Sequence, residues 1–309
     1  MISSGNTRKG AKNMKKGQLI AAAATLAGAG VLAYYKATTV NFGEIVIDGI
    51  PQKADTDTRI MSFNVRSRND KEGSIKNRSK IVKAIIEQYA PDTLGVQEAT
   101  GLWMDILTEA LSDKYAYVTQ ARDTKGYHTE HNPVFYLKDK FNLIDSGTIW
   151  LSETPKVPFS KSYDTNCTRI ATWATLENKA NGEIYTHLNT HLDHILESTR
   201  VAQVDVLLTK LAELEKFGKV VCTGDFNTEP TSEVYEKMTK TVKDSKAIAE
   251  SSDNGITFHG YGKADDAAGP IDYIFVTEGT DVKTYKIIRN TAKGMYPSDH
   301  YPIVADIVI

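Results

Sequence analysis

The run Lys219-Val220-Val221-Cys222-Thr223-Gly224-Asp225-Phe226-Asn227 constrains this chain more than any other. An apolar, β-branched segment bounded by glycine predicts a buried strand, and its end presents a carboxylate and an amide two residues apart. Period 2 places Asp225 and Asn227 on one face. In α/β proteins the carboxyl ends of buried strands are where functional groups are exposed. Near Pro230 the same pair also suits an Asx turn, so alone it does not separate a turn from a site.

The rest of the chain repeats the pattern. Arg59-Ile60-Met61-Ser62-Phe63-Asn64 predicts a strand with a polar end, and Ile81, Val82, Ile85, Ile86 and Tyr89 recur at helical spacing until Pro91. The strand Thr93-Leu94-Gly95-Val96-Gln97 runs into Glu98, which is either a helix-start charge or a functional group at a strand end. Leu102, Ile106, Leu107 and Leu111 mark a second helix. Period 2 then predicts strands near residues 115–119, 134–137, 142–149 and 169–176. In residues 185–193, alternation puts His187, Asn189, His191 and Asp193 on one face. Such a face is expensive to bury without partners, so the four together suggest a site. Val201, Val204, Leu207, Leu208, Leu211 and Leu214 form an amphipathic helix. Towards the C-terminus, Ile271-Asp272-Tyr273-Ile274 begins a strand. Ser298-Asp299-His300 precedes another, and has a turn reading of its own.

A chain of 309 residues, 41% hydrophobic and 25% charged, can bury a full core. Its net charge of −2 conceals six Lys/Arg and no acid in residues 1–36, against 31 basic and 39 acidic side chains in the remainder. An acidic body argues against avid non-specific polyanion binding, which depends on Lys and Arg displacing counterions. Cys167 and Cys222 make neither a disulfide framework nor a zinc site, and each is expected as a buried free thiol. Residues 18–35 are apolar and uncharged behind a basic cluster, which favours an uncleaved membrane anchor over a cleaved signal. The body would then be extracytoplasmic, or secreted if the segment is removed. Residues 37–58 are expected to be a linker with one short strand at 44–48, followed by a domain over 59–309.

The strand-end residues Asn64, Glu98, His191, Asp225, Asn227, Asp272, Asp299 and His300 form an oxygen-rich set without thiols, suited to Mg²⁺ or Mn²⁺ rather than zinc. In order and type, Ser62-Phe63-Asn64-Val65, Val96-Gln97-Glu98, Asn189-Thr190-His191-Leu192-Asp193, Gly224-Asp225-Phe226-Asn227, Ile271-Asp272-Tyr273-Ile274 and Ser298-Asp299-His300 resemble the endonuclease/exonuclease/phosphatase (DNase I-like) superfamily. The stretch from Asn132-Pro133-Val134 to Arg169-Ile170-Ala171 is similar to its bacterial branch.

The resemblance implies an α/β fold, the DNase I-like two-sheet sandwich with flanking helices, and Mg²⁺-dependent hydrolysis of a phosphate ester, with a phosphodiester the expected form. It implies Glu98 as principal metal ligand with Asn64 and Asp299 in support. Asp225 would orient or deprotonate water, and Asn227 would bind a phosphoryl oxygen. His300, held by Asp272, would contact the scissile phosphate, and His191 would stabilise the transition state or protonate the leaving oxygen. Asn189, Arg169 and Tyr136 are candidates for holding substrate, with core packing an alternative for Tyr136. Nucleic acid, a phospholipid headgroup and a small phosphorylated metabolite all remain open as substrates, and the chain is expected to act as a monomer. The rival reading is a non-catalytic scaffold of the same fold.

Overall fold

The computed structural model describes residues 39–265 and 268–309, and Glu44–Ile309 forms one unit. It begins with β1 (Thr58–Asn64), α1 (Ile75–Tyr89), β2 (Thr93–Gln97), β3 (Ala99–Thr100), α2 (Gly101–Leu111), β4 (Tyr115–Val118), β5 (Glu130–His131) and β6 (Val134–Leu137). Longer hairpin strands follow: β7 (Phe141–Trp150), β8 (Ile170–Asn178) and β9 (Ile184–His191). Next come α3 (Glu197–Leu214), β10 (Lys219–Asp225), α4 (Glu233–Thr239), β11 (Lys243–Asp244) and α5 (Ser245–Ile248). The last strands are β12 (Ser251–Ser252), β13 (Asp272–Val276), β14 (Asp281–Ile287) and β15 (Ile303–Val308).

The strands form a 7-stranded sheet in the order β12-β14-β15-β1-β2-β6-β4 and a 6-stranded sheet in the order β11-β13-β10-β9-β8-β7. With the helices, this is the expected two-sheet α/β sandwich. β1 and β10 play matching parts. Each has one parallel neighbour, β2 or β9, and one antiparallel neighbour, β15 or β13. Parallel neighbours need a crossover, which α1 and α3 supply. The registers place Asn64 opposite Gln97, and Asp225 between His191 and Asp272. Pairing thus gathers residues far apart in the chain at the carboxyl ends of β1, β9 and β10.

The outer face of the six-stranded sheet buries Leu188, Leu192, Val220 and Cys222 under Val204, Leu207, Leu211 and Leu214 of α3. On the inner face, apolar contact is provided by Val134, Tyr136, Tyr185, Val221, Ile274 and Ile303. Towards the carboxyl ends of the strands this interface becomes polar. His187 lies between the hydroxyls of Thr93 and Thr223 at 2.8 and 2.7 Å, and Gln97 donates to Asn189 Oδ1 at 2.7 Å. Asn189 in turn donates to the carbonyls of Val96 and Pro133. Unbonded, each such group would cost about 1–3 kcal/mol to bury. The sheets approach so closely here that a Cβ on Gly95 would lie 2.3 Å from Thr223 Oγ1.

Three expectations need correction, and one strand was missed. Residues 44–48 form no strand: the Gln88 side chain, bonded to the Ile47 N–H and the Ile45 carbonyl, substitutes for a strand partner. Cys167 is only half-buried, whereas Cys222 is buried, and both are free. β14 was not foreshadowed, because a register shift between Val282 and Thr284 breaks the alternation that would reveal it. The membrane anchor is not supported, since no described helix is long and apolar enough to cross a membrane. Residues 18–35 lie outside the described residues, and the extracytoplasmic placement that depended on them is withdrawn.

Burial pushes His187 down to about 3, so the fold holds it neutral. Below its unfolded pKa near 6.5 the unfolded chain binds the extra proton, and this part of the stability is lost as pH falls towards 3. Between pH 6.5 and 5 the loss should be about 1.5 kcal/mol. His187→Gln, whose amide can bridge the same hydroxyls, should remove that increment in urea unfolding at the two pH values.

Candidate active site

Asp225 ends β10 fully buried, and its carboxylate is where the two sheets meet. Oδ2 accepts from Asn64 Nδ2 across the sandwich at 2.9 Å, and the same amide reaches Glu98 Oε1 at 3.2 Å. Nε2 of His191 and of His300 stand 3.5 and 3.7 Å from Oδ2. Oδ1 accepts the Asn227 N–H at 2.9 Å. Burial first, and then the Asp272 charge, push Asp225 up to about 7 against the pull of His300.

His300 Nδ1 is 2.9 Å from Asp272 Oδ2. Burial opposes a charge on this ring, but Asp272 and Asp225 outweigh it and push His300 up to about 10. The ring is therefore held as an imidazolium, with Nδ1–H donated to Asp272 and Nε2–H left without a hydrogen bond. His191 is the opposite case: burial, then the Arg169 and Arg122 charges, push it well below the usual range, and it is neutral. Its Nδ1 is buried without a hydrogen-bond partner.

Glu98 falls between β2 and β3 rather than in the first turn of α2, which decides its two sequence readings in favour of the strand end. Its Oε2 accepts the Ser67 N–H at 2.7 Å. Burial raises its pKa, but Ser67 and the charges of His300 and Arg66 outweigh that and hold it below the usual carboxylate range. Arg66, which sequence reasoning missed, lies 3.3 Å from Asp299 Oδ2. Arg66, Glu98 and Asn227, each just beyond a strand, have φ of 60°, 60° and 51°. Left-handed backbone at a non-glycine residue costs about 1 kcal/mol or more and must be imposed by surroundings.

Arg78 supplies part of those surroundings at Arg66. Fully buried in α1, its guanidinium donates to the carbonyls of Val65, Arg66, Arg68, Gly73 and Pro297. Trp103 Nε1 also donates to the Arg66 carbonyl, at 2.8 Å. Arg78 holds the loop that aims Arg66 and Ser67. Its only sequence signal was a cation on the apolar side of a helix.

A cleft of about 390 Å³ opens over these groups, lined by Glu98, His191, Asp225, Asn227, Asp299 and His300 among others. Asp272 and Asn64 stand behind that lining. Arg66, Arg68, Arg122 and Arg169 also line it, so four arginines share the cleft with the carboxylates of Glu98, Glu130, Asp225 and Asp299. Of the substrate candidates only Arg169 reaches the cleft. Asn189 is fully buried between the sheets, its amide taken by Gln97, Val96 and Pro133, because the strand face that carries His191 passes under the other sheet first. Tyr136 packs in the inner core. Asp193 is turned into its own loop, accepting from Thr165, Ile195 and Leu196. A cavity of about 420 Å³ beside α3 contains none of the strand-end residues.

Asp225, Asp272 and His300 lie close enough together to hold one ion, but the imidazolium already answers both carboxylates. Glu98, kept ionised, and Asp299 are carboxylates lining the cleft that could hold a hard divalent cation, whereas Asn64 Oδ1 already accepts the Arg66 N–H at 3.0 Å.

On a two-sheet sandwich, a carboxylate at one strand end, a carboxylate-imidazolium pair beside it and the arginines of the cleft form a set of groups suited to acid-base chemistry on an anionic substrate. Residues 61–300 match the model of the Endonuclease/Exonuclease/phosphatase family, and the chain belongs to that family. Among solved structures it is similar to an endonuclease/exonuclease/phosphatase from Bacteroides vulgatus, with 33% identity and TM-score 0.77 over 81% of this chain and 98% of that one. It is also similar to a mannosyl-6-phosphatase of Bacteroides thetaiotaomicron, with 29% identity and TM-score 0.74 over 82% and 100% of the two chains. Nocturnin of Xenopus laevis is 26% identical over an alignment of 264 residues that covers 75% of this chain and 64% of that protein. The chain thus spans under two thirds of that relative's length.

Replacing Arg78 by Met should leave five carbonyls without their shared donor and destabilise the fold by about 3 kcal/mol or more. Guanidinium unfolding of the two chains measures the difference.

Proposed function

We propose that this chain hydrolyses a phosphate ester of a small molecule with the help of Mg²⁺ or Mn²⁺. The observation that carries the reading is Asp225, a buried carboxylate shared by Asn64, His191 and His300 and pushed up to about 7. A base is most useful when its pKa lies near the working pH. Asp225 is suited to orient a water molecule and take its proton as the oxygen attacks phosphorus.

Three other side chains complete the chemistry. His300, charged and braced by Asp272, donates Nε2–H to a phosphoryl oxygen. Asn227 gives one amide hydrogen to the Leu192 carbonyl at 3.1 Å and keeps the other for the phosphoryl group. His191, held neutral, stabilises by hydrogen bonding rather than by giving up a proton. Glu98 and Asp299 would hold the cation, which when bound polarises the phosphoryl group and offsets charge built up in the transition state.

A small substrate is supported by the modest cleft, the acidic body and the likeness to a mannosyl-6-phosphatase. A scaffold has no need of a base, an imidazolium and a hard-oxygen set brought together.

The test is product release by the 309-residue chain from sugar phosphates, nucleotides, single-stranded DNA, RNA and sphingomyelin, with Mg²⁺ and with EDTA. Mg²⁺-dependent release from small phosphates is expected. Cleavage confined to polymers would overturn the small-substrate reading, and silence throughout would favour the scaffold. Asp225→Asn should lower turnover by about a hundredfold or more with folding intact. Glu98→Gln should raise the Mg²⁺ concentration for half-maximal rate by about tenfold.

A further inference from the structure

Three arginines among the described residues are buried, and two are fully answered. Arg59 makes a two-pronged pair with Asp306 at 2.7 and 2.8 Å and donates to the Tyr89 and Pro51 carbonyls. Arg78 has its five carbonyls. Arg169, only 4% exposed, has neither. Nε and Nη1 are buried with no hydrogen-bond partner among the described residues. Nη2 meets only His194 Nδ1, at 3.1 Å. Because a guanidinium cannot accept, that nitrogen accepts and His194 is uncharged there.

Nearby acids do not answer Arg169. Asp193 is occupied by Thr165, Ile195 and Leu196. Glu130 is paired with Arg122 at 2.6 Å. A buried cation with idle N–H bonds costs several kcal/mol unless an anion completes it, and folds avoid that cost where a ligand is not expected. Arg169 lines the cleft although it is almost inaccessible, so it belongs to the floor. An anion reaching it must enter end-on.

We infer that Arg169 forms a subsite for the terminal, dianionic phosphate of a monoester, and thereby selects monoesters over diesters. This rests on the phosphoesterase reading above and supplies its substrate class. Nη1 keeps both of its N–H bonds idle and Nε its one, on opposite edges of the guanidinium, and a dianionic phosphate is the stronger acceptor for such donors. A diester carries one charge, and its second substituent would be pressed towards a closed floor.

The experiment compares the 309-residue chain with Arg169→Gln and Arg169→Lys on p-nitrophenyl phosphate and bis(p-nitrophenyl) phosphate in Mg²⁺. Arg169→Gln should lower kcat/KM on the monoester by about a hundredfold and the monoester-to-diester ratio by at least about tenfold, and Arg169→Lys should recover part of the loss. Thermal melts supply a readout independent of turnover. Inorganic phosphate should stabilise the parent chain more than dimethyl phosphate does, and Arg169→Gln should abolish that difference. Equal losses on both esters, or a phosphate effect that survives Arg169→Gln, would overturn the inference. If the parent chain cleaves neither ester, the phosphoesterase reading fails, and the melts still decide whether Arg169 holds a dianion.

Discussion

A carboxylate removed from water has to be answered by its surroundings, and much of this fold is arranged around the answer to Asp225. Its partners come from both sheets: Asn64 from β1, His191 and Asp272 from the strands on either side, and His300 from the turn before β15. None is near it in sequence except Asn227. Bringing them together requires β1 and β10 to face each other with their carboxyl ends level. The polar contacts among His187, Thr93, Thr223, Gln97 and Asn189 hold the sheets in that register. An apolar interface could slide with little penalty, whereas this one would leave buried donors unpaired if it shifted by one residue.

The same logic sorts the arginines. Arg59 joins β1 to β15, and Arg78 ties the loop after β1 to the segment before Asp299. Both are satisfied within the protein and set geometry. Arg66 turns outward to Asp299, and Arg169 waits under the cleft. Buried cations that are fully bonded hold the scaffold, and the one that is not lines the cleft. An acidic body still gathers four arginines in one cleft, because they sit at or just beyond a few strand ends.

The main strands and helices were legible because each depends on local periodicity. The two-sheet arrangement was legible only through the resemblance carried by six short motifs. Of the candidate residues, those at strand ends did converge. Asn189 misled because alternation tells which residues share a face, not how far along that face the other sheet extends. Tyr136 had its packing alternative, and packs in the core. The anchor over residues 18–35, which lie outside the described residues, was inferred from hydropathy and the basic cluster before it, and no described helix supports it.

Hydrophobic period and the placement of polar residues at strand ends are properties of short segments, and the sequence by itself determined them, together with the hard-oxygen character of Glu98, Asp225, Asp272 and Asp299. Ionisation state, burial and partnership are properties of the assembled sandwich. Only the tertiary structure decided that His300 is charged while His191 is neutral, that Arg78 is a brace, and that Arg169 is left with open donors. The reason is physical: each outcome depends on which distant groups replace the water that folding removes.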